Sequence, residues 1–176
     1  MDPWFLPEVG GLLGALGRAG LIGPPFEGRR AAFRAGAQLL QLVSFSGCSP
    51  HIRFEPSVDG SGSFCHVTIL GPYSRPRLLT GRNTRPPRCS ACRSPIADWR
   101  ARREAWEDSP GAPLTCPQCH LPQLPLQLHW REHAGFGRLF VSVEDVFPGE
   151  AVPVPDLLEL LESATGTAWR YFFVQD

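Results

Sequence analysis

The sequence predicts an α+β protein: an antiparallel sheet, helices near both ends of the chain, and a cysteine-rich insertion in the middle. Three observations carry this. Apolar residues alternate with polar ones in several short central stretches. Helical periodicity stands near the two ends. Two closely spaced cysteine pairs interrupt the pattern at 89–119. At 176 residues and 43% hydrophobic, the chain is expected to form one domain, 1–176, with 88–121 as an inserted subdomain.

The elements follow in order. Residues 3–20 read as a helix, with Pro3 in its first turn and Leu6, Val9, Leu13 and Leu16 at helical spacing. Glycines at 10, 11, 14, 17 and 20 weaken it, each costing up to about 1 kcal/mol against Ala. "GPP" at 23–25 ends it. "AQLLQLVSFS", 37–46, has β character. "HIRFEP" and "FCHVTIL" flank the turn "SVDGSGS", so a hairpin is expected, with Phe64, Val67 and Ile69 facing Ile52 and Phe54. "RPRLLTG" adds a short strand. Leu124, Leu126, Leu128 and Trp130 alternate with Gln127, His129 and Arg131 as in a strand. "AGFG" turns, and "RLFVSVEDVF" returns. "PVPDLLELLESATG" is the strongest helix, with Pro at its start, Leu157, Leu158, Leu160 and Leu161 inward, and Gly166 at its end. "AWRYFFVQ" closes as a strand.

Composition excludes several chemistries. All 17 basic residues are Arg. Without Lys there is no P-loop, no Schiff base and no pyridoxal phosphate enzyme. No G-x-G-x-x-G or G-x-S-x-G occurs, so no nucleotide cofactor is expected. Formal net charge is zero but unevenly spread. Residues 75–103 carry nine Arg against Asp98, and residues 139–176 carry seven acids against Arg170. The basic middle either meets an outside partner or is neutralised within the fold.

The chain opens "MDPWFLPEVGG", with acids where a secretory leader carries basic residues. The apolar run "VGGLLGALG" is far shorter than the ~20 residues that span a bilayer. A cytoplasmic location with no membrane association is therefore expected, and in a reducing compartment clustered cysteines favour metal over disulfides.

Cys89-x2-Cys92 and Cys116-x2-Cys119 each let one tight turn aim two thiolates at one point, and two such turns complete a tetrahedral shell. The pattern resembles the two-knuckle zinc ribbon over these 31 residues, which implies one structural zinc ion and no particular activity. Arg93 and His120 stand where the knuckles usually carry Gly. The 23-residue insert is slightly long, a difference of only about 0.2 kcal/mol in loop closure. It reads as a helix capped by Ser94 with Pro95 in its first turn. Ile96, Trp99, Arg103 and Trp106 share a face, with the two Trp expected to pack on the domain or on a partner, and Asp98–Arg102 and Arg103–Glu107 form i,i+4 pairs. A thioredoxin-type use of "CPQC" would need a following helix, which Pro122 and Pro125 oppose.

Three lesser constellations remain. "HWREH", 129–133, matches the inverted zinc-protease pattern, but in a strand its histidines lie ~13 Å apart. Cys48, His51, Cys65 and His66 form a possible second metal site or, as a third reading, the centre of a metal-dependent enzyme or metal carrier. The arginines beside the knuckles fit phosphate. The primary expectation is a zinc-stabilised, non-enzymatic interaction or accessory protein. Its protein partner is expected to meet Trp99, Trp106, Arg85, Arg88, Arg102 and Arg103. A nucleic-acid binder using 75–103 is the alternative.

Overall fold

The computed structural model describes residues 3–45, 52–56, 63–146 and 149–175. The architecture is α+β with antiparallel pairing throughout. In chain order the first half contains helix α1 (Val9–Arg18), strands β1 (Ile22–Pro25) and β2 (Ala32–Ala35), the single turn α2 (Leu39–Leu42), and strands β3 (Val43–Phe45) and β4 (His66–Leu70). The middle contains β5 (Arg77–Leu79), α3 (Trp99–Asp108), β6 (Leu114–Thr115), β7 (Pro122–Gln123) and β8 (Gly135–Gly137). The chain continues with β9 (Phe140–Glu144), β10 (Ala151–Pro153) and α4 (Pro155–Thr165). These elements form two compact units: residues 1–72 with 139–171, and residues 73–138 with 172–176. The segment 88–121 lies inside the second unit.

In the first unit the sheet runs β1-β2-β4-β9, and β3 pairs separately with β10. β4 is central. Val67 faces Phe33 on one side and Val143 on the other, and Ile69 faces Val141. The turn of the expected hairpin lies outside the described residues, and no hairpin pairing forms among those described on either side of it. Residues 52–56 carry no strand, and the Cys65 N–H donates to the Arg53 carbonyl. Val67 and Ile69 need burial. Pairing β4 between two distant strands supplies more of it than one neighbouring strand would.

α1 begins six residues later than expected. Pro7 pushes Leu6 out of helical backbone, and Glu8 caps the helix, its carboxylate accepting the Gly10 N–H at 2.7 Å and the Gly11 N–H. An acid at that end also meets the positive pole of the helix. α4 follows its sequence signals. Pro155 occupies the first turn, and Gly166 takes φ 72° while its N–H closes on the Glu162 carbonyl at 2.7 Å. Leu12 and Leu16 of α1 and Leu157 and Leu161 of α4 are i,i+4 pairs in one core with Leu21, Leu39, Val67 and Ile69. Each fully buried Leu stabilises that core by roughly 1.5–3 kcal/mol.

The second unit is built around tryptophan. Trp130 meets Trp99 edge-on at 5.4 Å, Trp106 at 6.3 Å and Phe136 at 6.3 Å. Each such contact adds about 0.5–1.5 kcal/mol beyond burial. Leu78 of β5 and Phe136 of β8 are paired neighbours in the same core. The strand expected over 124–130 is replaced by a 3-10 turn, Pro125–Gln127, followed by one bridge in which Arg88 and His129 exchange both backbone hydrogen bonds. Pro125 has no N–H to give a ladder. The alternation survives as burial of Leu128 and Trp130. Residues 167–175 form no strand either.

Candidate metal centre

The two cysteine pairs sit at the tips of two matching turns. Flanking the first, Arg88 bridges Pro95. Flanking the second, Leu114 and Thr115 of β6 pair with Gln123 and Pro122 of β7. Within each turn the same two hydrogen bonds recur. The Cys89 N–H reaches the Ser94 carbonyl at 2.9 Å, and the Arg93 N–H reaches Cys89 at 3.1 Å. The Cys116 N–H reaches Leu121 at 3.0 Å, and the His120 N–H reaches Cys116 at 3.0 Å. Arg93 (φ 64°) and His120 (φ 59°) adopt the left-handed backbone that Gly ordinarily supplies there. A non-glycine residue in that region costs of order 1–3 kcal/mol, so the turn is held by the interactions around it.

The four sulfurs converge, all within 4.8 Å of one another. Cys89 Sγ lies 3.7 Å from Cys119 Sγ, and Cys92 Sγ lies 3.7 Å from Cys116 Sγ. These are opposite edges of a tetrahedron. For a central ion with metal–sulfur bonds of about 2.3 Å, that edge is about 3.8 Å. A disulfide needs about 2.05 Å, so the thiols are not bonded to one another. The donor set fits one metal ion.

The electrostatics fit as well. Cys89 is lowered to about 6, first by the backbone N–H of Cys92 and, against the cost of burial, by the Gln123 amide. Cys92 is lowered by Ser94. At Cys119 the backbone N–H of Leu121 pulls downward, but burial and the other three cysteines outweigh it and push the thiol up to about 12. Four thiolates this close cannot all hold negative charge without a cation among them.

Gln123 gives no signal in the sequence beyond its place on the short strand after the second knuckle. Its side chain is buried, with 7% exposure for the residue. Its Nε2 donates to Cys89 Sγ at 3.1 Å, and its Oε1 accepts the Ser90 N–H at 3.0 Å and the Ser90 hydroxyl at 3.2 Å. It ties the second knuckle's strand to the first knuckle's turn and orients one ligand.

α3 forms within the insert but starts at Trp99, with Asp98 at its cap, because Ser94 and Pro95 belong to the first knuckle's hairpin. Trp99 and Trp106, expected at a partner surface, are 2% and 5% exposed and pack on Trp130. Their spacing serves the unit's own core, a correction to that expectation. Arg102 pairs with Asp98 at 2.6 Å, Arg103 with Glu107 at 2.8 Å, and Arg77 with Glu107 at 3.1 Å. Arg75 donates to the Asp108 carbonyl at the end of α3 at 2.6 Å. Arg85 is exposed and Arg88 half-buried.

Elsewhere, Cys48 and His51 lie outside the described residues. Cys65 is fully buried in the first unit's core, its thiol pushed up to about 11 by burial and then by Asp145. His66 uses both ring nitrogens, Nδ1 with the Phe64 carbonyl at 2.8 Å and Nε2 with Arg29 at 3.3 Å. The "HWREH" histidines do not share a helical turn, since Arg131 (φ 55°) and Glu132 (φ 64°) between them are both left-handed. Among the described residues no helix is long and apolar enough to cross a membrane. The chain matches no protein-family model, no curated protein and no solved structure.

Proposed function

We propose that this is a zinc-stabilised, non-enzymatic interaction protein of the cytoplasm, whose second unit depends on one structural ion. The observation that carries the reading is the pair of 3.7 Å sulfur edges, set by two turns of identical hydrogen bonding. When bound, zinc supplies charge neutralisation and a cross-link between the two knuckles. Cys89, Cys92, Cys116 and Cys119 fill a four-coordinate shell, which leaves no position for a reacting water and points to structure over catalysis. Soft all-sulfur donors favour zinc over harder cations. Gln123 holds the Cys89 sulfur, and the tryptophan core transmits the clamp to β5, β8 and α3.

Metal content and chelation test this. Purified chain is expected to carry one zinc per molecule. Its removal is expected to abolish the near-ultraviolet signal of the tryptophan cluster. A chain that keeps that signal with no metal would refute the reading.

A further inference from the structure

The charge imbalance of the sequence divides by unit. Residues 73–138 hold eleven arginines against five acids, while residues 1–72 and 139–171 hold six arginines against eleven acids. Four thiolates around a divalent cation would still leave the second unit clearly positive. Neutrality of the whole chain therefore does not describe the surface that holds the metal.

Within the second unit the arginines fall into two groups. Arg75, Arg77, Arg102 and Arg103 are satisfied by α3's own acids or by its terminal carbonyl. Arg82, Arg85, Arg88, Arg93 and Arg100 are not held by α3's acids, and among the described residues no carboxylate forms an ion pair with any of them, although Arg88 and Arg100 each meet a backbone carbonyl and Arg100 lies 4.6 Å over the Trp99 ring. Two contacts tie them into two groups. The Arg100 guanidinium donates to the Thr84 carbonyl at 3.3 Å, inside the loop that carries Arg82 and Arg85. The Arg88 guanidinium donates to the Arg93 carbonyl at 3.3 Å, on the first knuckle. Four of the five are exposed and Arg88 is half-buried. Arg100 also stands in the first turn of α3, which holds no acid. A cation there opposes the helix dipole, which Asp98 at the cap offsets.

Resting on the reading of the second unit as a metal-held interaction module, we infer that these five arginines bind the phosphate backbone of duplex nucleic acid. The chemistry separates this partner from an acidic protein. Protein interfaces are anchored by a central apolar or aromatic cluster. Here the tryptophans are interior: Trp99, Trp106 and Trp130 are buried with Phe136, while Tyr73, Phe172 and Phe173 are half-buried, and the large exposed apolar residue described in this unit is Leu121 of the second knuckle. Phosphate binding needs no such anchor, only guanidinium forks. None of this unit's three tryptophans is free to stack on unpaired bases, which favours a duplex over a single strand, and contacts to phosphate alone do not read sequence.

Fluorescence anisotropy with a labelled duplex of about 20 base pairs tests the inference on metal-loaded full chain. Five phosphate contacts give a slope of log affinity against log salt of about −4 to −5, a several-hundred-fold loss from about 50 to about 200 mM salt. The double variant Arg82→Ala/Arg85→Ala is expected to lower affinity at least about tenfold and the slope by about 2. The charge-matched double variant Arg102→Ala/Arg103→Ala is expected to bind as the parent does. Equal weakening by both pairs would mean diffuse attraction and overturn the surface. Tighter binding of a polyglutamate peptide, or of the single strand, would overturn the partner. No duplex binding at low salt by folded, metal-loaded chain would sink this inference alone, whereas absence of metal would sink the reading beneath it.

Discussion

Asn83 grips the chain terminus at Gln175 as one peptide group grips another. Its Oδ1 accepts the Gln175 N–H at 3.0 Å, across 92 residues of sequence, while its Nδ2 donates to the Phe173 carbonyl at 2.9 Å. Arg82 adds a backbone bond to the Gln175 carbonyl at 2.8 Å, and the Phe173 N–H reaches Glu132 at 2.8 Å. The tail is thereby strapped into the metal-holding unit. Gly135 lies against the Phe172 ring, and Gly81 against the Gln175 backbone, where added methyl groups would collide.

Replacing Asn83 with Ala removes both hydrogen bonds to the tail at once, including the one that satisfies the part-buried Gln175 N–H. A loss of about 1–3 kcal/mol is expected in denaturant unfolding. Faster amide exchange at residues 173 and 175 would localise it. Unchanged exchange there would show that the strap does not depend on Asn83.

Gln123→Ala strips the Cys89 sulfur of its amide donor and leaves Ser90 unpaired. Metal affinity, read by competition with a chromophoric chelator, is expected to fall about 10–100-fold with the four cysteines intact. Gln123→Glu is expected to be worse, because it sets a carboxylate beside the thiolates.

Trp130 touches three aromatic partners, so Trp130→Ala is expected to cost about 3–5 kcal/mol and Trp130→Phe much less. Loss of near-ultraviolet ellipticity with retained helix signal would mark collapse of the tryptophan core. An equally stable Ala variant would show that the core does not support the unit.

Cys65 titrates near 9 in the unfolded chain and is raised to about 11 when folded, because burial and then Asp145 disfavour the thiolate. The folded state thus holds the proton more tightly. The stabilisation is complete below about pH 9 and is lost as pH rises through about 11, a contribution of roughly 2–3 kcal/mol. Compared with Cys65→Ala, the parent is expected to lose more stability across that window. At neutral pH the native thiol should resist iodoacetamide. Rapid alkylation in the folded state would contradict the burial.

What was legible in the sequence was local. Spacing alone named the four sulfurs, since two residues between cysteines is what one turn needs. Pro155 and Gly166 marked both ends of α4, because each has one conformational role there. The insert's helix was visible from Trp99 and Trp106 and from its two ion pairs, but its start was not, because Ser94 serves the knuckle. Partner choice for β4 was illegible: strands Ala32–Ala35 and Phe140–Glu144 are far away in sequence, and the adjacent hairpin signal was stronger. The arginine surface was read by composition, yet which arginines are already satisfied emerged only when Glu107, Asp98 and the Asp108 carbonyl took their places. Gln123 and the Asn83 strap depend wholly on tertiary contact.

X-ray absorption at the zinc edge of natively purified protein, combined with metal-to-protein stoichiometry, probes the sulfur cluster most directly. One zinc per chain with four sulfur neighbours at about 2.3 Å is the expected result. A metal-free native chain, a shell containing nitrogen or oxygen, or cysteines 89, 92, 116 and 119 recovered as disulfides would contradict it.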